Sequence, residues 1–340
     1  MARALEEIDG REVSSPERFR THVVEQCRPV VLRGLVAEWP AVRAAKRSVD
    51  EFGTYVAGFD SGGDTEAFIG DPANRGRYYY GDGLKGFNFD RKRMRFADAV
   101  RSIVAGRDQL EAPTMYVGSV PVNEYLPGFS MANVLPVLAA YVAPRIWIGH
   151  ASHVSTHFDT FENVACVVAG ARRFTLYPPE AIAQLYVGPI DNTMAGQPVS
   201  LAASEPGNEA KYPRFREVRD QAQQGELGPG DAIFIPKLWW HQVESTARFN
   251  TMVNYWWDAF LAGPDAPYTS LLLSMITIAE RPMAERQAWK AFFDHYVFRP
   301  DGHPLAHLPP DQHGMLGPLK PDNYAKIRAI VMHRLRGGRA

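Results

Sequence analysis

The stretch STHFDTFENV, residues 155–164, sets His157 and Asp159 one residue apart and Asn163 four further on. Imidazole and carboxylate both ligate metals, and on a strand the side chains at i and i+2 share one face. Read as part of one strand, the pair looks the same way and can grip a single ion. An isolated H-x-D is common by chance as a surface hydrogen-bonding pair, so a third donor decides its meaning. His241 supplies one, after Trp239 and Trp240 in DAIFIPKLWWHQVES, on what reads as an edge strand of the sheet. Two histidines and one carboxylate from separated segments cover one face of an octahedron and leave three positions open. That donor set suits ferrous iron and oxygen chemistry. The chain has only two cysteines, Cys27 and Cys166, which argues against a structural zinc centre and against a disulfide framework.

Other candidates are weaker. His150 and His153 precede His157 and read as hydrogen-bonding loop residues. His295, His303, His307, His313 and His333 fall in or near a helical tail and read as surface or core polar groups. Asp191 and Asp231 sit in turn contexts.

The elements that must position these donors are mostly strands. RPVVLRGL (28–35), RIWIGH, HFDTFENVACVVAG, ARRFTLYPP, GPGDAIFIP, WWHQVES and FNTMVNYWW are short apolar runs closed by Gly or Pro, the pattern of a sandwich or barrel. EAFIGD, RYYYGD and APTMYVGSVP add shorter strands. Helices are expected after Ser15-Pro16, over 39–56 and over 94–106, with a partly helical stretch at 128–144. Residues 180–226 are polar with scattered Gly and Pro, and read as an insertion loop with a short helix. From 265 the pattern turns helical. Trp289, Phe292, Phe293 and Tyr296 fall at i, i+3, i+4, i+7 on one stripe.

Composition bounds the function. At 340 residues and 46% hydrophobic, the chain can bury a large core, and 18 Phe, 14 Tyr and 7 Trp suit aromatic-lined walls. A formal net charge of −1 gives no electrostatic footprint for RNA or membrane. No apolar run approaches transmembrane length and no signal core opens the chain, so a cytoplasmic, reducing location is expected.

Taken together, RPVVLRGLVAEWPA, HFDTFENVACVVAGARRFTLYPP, GPGDAIFIPKLWWHQVES and VNYWW resemble the JmjC or cupin-like Fe(II)/2-oxoglutarate oxygenases. The resemblance is to the group of the asparaginyl hydroxylase that inhibits hypoxia-inducible factor and its bacterial relatives, and it covers nearly the whole chain. It implies a mainly β fold, a double-stranded β-helix or jelly roll with flanking helices. It divides the chain into an oxygenase domain at 1–262 and a C-terminal helical region at 263–340.

The resemblance also implies roles. His157, Asp159 and His241 match the iron ligands. Where the family has a lysine for the distal carboxylate of 2-oxoglutarate, GARRF places Arg172. Strand parity agrees, because Arg172 shares a face with Phe174 and Leu176 while Arg173, Thr175 and Tyr177 face away. An arginine clamps a carboxylate bidentately, which lysine cannot. Tyr116 matches a tyrosine that hydrogen-bonds the same carboxylate. Asn163, Asn254 and Trp256 match side chains that line the iron pocket. The family threonine before H-x-D falls on Val154 at the direct offset and on Ser155 one place later, and Ser155 is taken as its counterpart.

The implied reaction uses O₂ and 2-oxoglutarate to hydroxylate a substrate C–H bond, releasing succinate and CO₂. N-demethylation by the same chemistry and a non-catalytic binding module are the alternatives. The substrate is left open among a protein side chain, a peptide, a modified tRNA base and a small molecule, with nucleic acid disfavoured. In the resembled group C-terminal helices form a dimer interface, so a homodimer is expected.

Overall fold

The computed structural model describes residues 2–109, 111–191, 193, 196–204, 210–260, 263 and 265–337. They divide into two units, residues 1–259 and residues 260–340.

The first unit holds thirteen strands: β1 (Arg3–Ala4), β2 (Glu6–Asp9), β3 (Val30–Arg33), β4 (Asp64–Gly70), β5 (Arg77–Tyr78), β6 (Phe89–Arg95), β7 (Thr114–Pro121), β8 (Pro144–His157), β9 (Glu162–Ala169), β10 (Arg172–Tyr177), β11 (Gln223–Leu227), β12 (Ala232–Ile235) and β13 (Trp240–Trp257). Its helices are α1 (Pro16–His22), α2 (Pro40–Arg47), α3 (Val49–Ala57), α4 (Phe96–Gly106) and the one-turn α5 (Val122–Tyr125), α6 (Phe129–Ala132), α7 (Leu201–Ser204) and α8 (Arg216–Arg219). The architecture is the expected one, a mostly-β jelly-roll core with flanking helices.

Two long strands organise the roll. β13 pairs with β8 along its length and changes its other neighbour midway, from β10 at Trp240–Ser245 to β9 at Thr251–Trp257. The β10 side continues through β11 to β1, and the β9 side through β12 and β3 to β2. β9 shows how the layers close. Ala165 and Val167 pack inward with Phe174, Leu176, Ile233, Val243 and Met252. Val164, Cys166 and Val168 pack outward under the N-terminal helices, with Phe19, Val42, Phe52 and Ile103. A strand buried on both faces needs an unbroken apolar run, which ENVACVVA supplies. Phe234 on β12 meets Phe19 edge-on at 6.1 Å, and burying each such ring contributes about 2 kcal/mol.

Several expectations are corrected. WWHQVES and FNTMVNYWW form one strand, β13, and His241 lies inside the sheet between β8 and β10 rather than at an edge. His150 and His153 lie on β8, not on a loop. His150 accepts from Met115 N at 3.1 Å and donates from Nε2 to Ile103 O at 2.9 Å, pinning β8 to β7 and α4. Burial of both rings holds their pKa values below the usual histidine range. The 39–56 stretch is two helices, because Ser48 turns extended and caps α3 by accepting from Glu51 N. The 180–226 segment contributes a strand as well as short helices, since its last residues form most of β11 against β10.

The second unit contains α9 (Pro267–Ile278), α10 (Met283–Phe293) and α11 (Pro321–Leu335). Trp289, Phe292 and Tyr296 remain 44–58% exposed, so their stripe is not buried within the chain. No helix among the described residues is long and apolar enough to cross a membrane.

Candidate metal centre

His157 closes β8, and Asp159 lies beyond the strand in the turn to β9, so the H-x-D pair does not lie on one strand as expected. Register explains how the donors still meet. His241 pairs with His157 and Val243 with Val154, so two steps along β13 match three along β8. The extra residue is a bulge. It brings Val154 and His157 to the interior side although they are three apart, which strict alternation forbids. Val154 and Ser155 therefore both line the cavity, with the Ser155 hydroxyl donating to Tyr78 O at 3.4 Å. The turn is tied to the β12–β13 connection by Leu238 N, which donates to Asp159 O at 2.8 Å.

The ligand atoms of His157, Asp159 and His241 lie within 4.8 Å of one another. His241 Nε2 is 3.7 Å from Asp159 Oδ2, and the two imidazole centroids are 4.4 Å apart. His157 Nδ1 donates to Ser155 O at 2.8 Å and His241 Nδ1 to Trp239 O at 3.0 Å. A ring nitrogen facing a carbonyl carries the proton, so in the neutral ring the Nε2 lone pair is the one that faces a cation. Burial, reinforced by the neighbouring His157, pushes the His241 pKa down to about 4, which keeps that ring neutral and able to ligate.

The carboxylate is oriented too. Asp159 Oδ2 accepts from Trp256 Nε1 at 3.1 Å and from Asn163 Nδ2 at 3.4 Å. Asn254 Nδ2 in turn donates to Asn163 Oδ1 at 3.1 Å. Asn254 and Trp256 are two apart on β13, paired with Ala165 and Asn163 on β9, so all three sequence-selected residues reach one network.

Arg172 is 3% exposed and lines the same cavity. Its Nη1 donates to Ser245 Oγ at 2.8 Å, its Nε has no partner among the described residues, and no carboxylate there pairs with it. Loss of solvent lowers its pKa to about 10, the direction burial imposes on a cation. Tyr116 lines the cavity beside it. Burial pushes the phenol up, while the Arg172 charge pulls it back. The cavity holds about 300 Å³, enough for a small dicarboxylate beside a metal. Two neutral imidazoles and one carboxylate suit ferrous iron, and a buried, anionless arginine suits an acidic chelator, so the residues present fit both groups.

Sequence reading missed Trp147, Ser245, Phe68 and Arg91. Trp147 stands perpendicular to Trp256 at 5.3 Å, and Ser245 lies opposite Arg172. Their only signal is strand pairing, which needs the register.

Comparison with known proteins agrees with this architecture. The chain is 38% identical over 116 residues to the Arabidopsis thaliana protein named lysine-specific demethylase JMJ31, covering 34% of this chain and 21% of the relative. It is 30% identical over 149 residues to human HSPB1-associated protein 1, covering 42% of this chain and 30% of the relative. It is 26% identical over 277 residues to the human protein named bifunctional peptidase and (3S)-lysyl hydroxylase JMJD7, covering 72% of this chain and 81% of that one. The chain thus spans less than a third of the length of the first two of these relatives. A model described as the cupin-like domain matches residues 16–263, most of the chain and nearly all of the unit that carries the metal centre, and the chain belongs to that family, among relatives that bear JmjC names.

Proposed function

We propose that this protein is a ferrous iron- and 2-oxoglutarate-dependent oxygenase that hydroxylates a substrate C–H bond. The observation that carries the reading is the pairing, in one cavity, of a His₂Asp cluster within 4.8 Å with a buried arginine that meets no carboxylate.

A bound ferrous ion and 2-oxoglutarate supply the oxygen activation, the cosubstrate leaving as succinate and CO₂. The chain supplies the rest. His157, Asp159 and His241 hold the metal through two Nε2 atoms and one carboxylate. Trp256 and Asn163 fix the Asp159 carboxylate by donating to one of its oxygens, and Asn254 holds Asn163. Arg172 and Tyr116 take the distal carboxylate, and Ser155 lines the same cavity. Trp147, Trp256 and Met252 make an apolar wall that keeps water from the reacting centre.

Residues 260–340 are proposed to join two copies. The exposed Trp289 and Phe292 on α10 and Tyr296 just beyond it form an apolar stripe of the kind that a two-fold contact buries. A protein or peptide substrate is proposed on the example of the relatives named as demethylases and a lysyl hydroxylase. The free thiols Cys27 and Cys166 support a reducing, cytoplasmic setting.

Iron-loaded protein should convert 2-oxoglutarate to succinate. His157→Ala and Asp159→Ala should lose at least ~100-fold of that turnover, as removal of a metal ligand costs no less than the loss of its hydrogen-bond support. Wild-type rates from either variant would refute the reading.

A further inference from the structure

β6 carries the sequence FDRKRMR and ends the strand order, so its outer edge has no ladder partner among the described residues. Its register against β4 sets Arg91 opposite Phe68, Arg93 opposite Glu66 and Arg95 opposite Asp64. Residues two apart share a face, so the three arginines form a row of about 13 Å at ~3.3 Å per residue. Phe68 lines the metal cavity, as does Arg91, which places the row on the cavity side of the sheet; Lys92, opposite the buried Ala67, faces the other way.

The row is connected to the metal centre. Arg91 lines the metal cavity, an adjoining groove is lined by Arg93 together with Asp64 and Glu66, and the two share Phe68, Gly118 and Ser119. A chain lying along the groove therefore leads into the cavity past Arg91. The guanidinium of Arg91 sits over the rings of Phe68 and Phe87 at 5.4 and 5.5 Å. Their ion pairs are loose, Arg91 to Glu66 at 3.5 Å, Arg93 to Asp64 at 3.7 Å and Arg95 to Asp64 at 3.5 Å, although Arg95 also donates closely to Gly62 O. These separations exceed those of charge-assisted hydrogen bonds, and two carboxylates serve three cations. Among the described residues the one carboxylate lining the cavity is Asp159, a candidate metal ligand.

We infer that the substrate is an extended acidic peptide that lies along the Arg91–Arg93–Arg95 row and delivers one residue into the cavity. The free edge of β6 offers backbone donors and acceptors to such a chain, and the row meets carboxylates repeating at the same two-residue period. Edge charges also guard sheets against aggregation, but guarding does not require them to line up on the cavity face. A polynucleotide fits less well, because its bases need open ring faces. Here Phe87 stacks on Phe89, Phe68 stacks on Tyr116, and Arg91 lies over the rings. The inference deepens the oxygenase reading and rests on it for the direction of delivery.

The test uses full-length protein without iron or 2-oxoglutarate, so failure of the oxygenase reading and failure of this one are separable. Fluorescence polarisation follows a labelled peptide of about ten residues alternating Glu and Ser, matched to the strand period. It should bind at least ~10-fold more tightly than its Lys/Ser counterpart, and lose roughly tenfold in Arg93→Glu and in Arg95→Glu. Arg93→Gln should give a smaller loss, and melting temperatures of both Arg93 variants should match wild type, as befits an 81% exposed side chain, while Arg95→Glu also loses the bond to Gly62 O and should melt slightly lower. Equal or tighter binding of the Lys/Ser peptide, no wild-type binding, tighter binding of a single-stranded RNA of similar length, or unchanged affinity in the charge-reversed variants would each overturn the inference.

Discussion

Arg172 is the residue on which the proposed cosubstrate binding turns. A buried guanidinium without an anion is unstable relative to a paired one, so the cavity is built at a cost that a dicarboxylate recovers. Arg172→Met should raise the KM for 2-oxoglutarate roughly 30-fold or more, the ~2–5 kcal/mol lost when a buried charge pair is truncated. Arg172→Lys should recover part of that loss, because lysine restores the charge without the two-pronged geometry. Steady-state succinate formation across a cosubstrate series reads both. Trp256 acts through Asp159. Trp256→Phe keeps the ring but removes the 3.1 Å hydrogen bond, and should weaken Fe(II) binding about 10-fold in a metal titration, with less effect on the KM for 2-oxoglutarate. At this scale much was legible. Residue types picked out His157, Asp159 and His241, which cluster, and two-residue parity turned Arg172 and Asn254 inward, where both line the cavity, because side-chain chemistry and strand alternation are local properties.

Among elements, the β9–β10 connection and the β8 bulge decide placement. Gly170 turns the chain at φ +75°, where a Cβ would stand 2.3 Å from Phe249 O. Ala171 N then donates to Asn250 Oδ1, which sets where β10, and so Arg172, begins. Gly170→Ala should cost about 1–3 kcal/mol, seen as a lower melting temperature, and raise the KM for 2-oxoglutarate by displacing Arg172. The bulge was not legible. HVSTH contains no glycine or proline to mark it, and only the partners on β13 reveal the extra residue. For the same reason His150 and His153 looked like loop residues: a strand of fourteen residues with a polar second half lacks the apolar run by which strands are recognised.

For the whole molecule, the fold class and the helical character of the tail could be read from turn spacing and the change of hydrophobic period after 265. The arginine row could not, since its meaning depends on which face β6 turns to the cavity. Nor could the fate of the aromatic stripe, which periodicity alone assigns equally to a core or to a contact between copies. The proposed pairing predicts that wild-type protein sediments as a dimer at micromolar concentration. Phe292→Glu should shift it toward monomer by at least ~10-fold in dissociation constant, as burial of an unpaired charge in an apolar contact demands. A wild-type monomer at that concentration would remove the proposal.

The sequence by itself determined the chemistry on offer: three oxygen- and nitrogen-bearing ligands, an arginine on the inward face of a strand, and enough short apolar runs to build a roll. These follow from composition and from periods of two residues, which operate within a few neighbours. The tertiary structure decided that His157 and His241 stand opposite one another, that Asp159 reaches them from a turn, and that Arg172 opens into their cavity without a carboxylate of its own. Register across strands and the sites of bulges arise from contacts between residues far apart in the chain, and no local pattern encodes them.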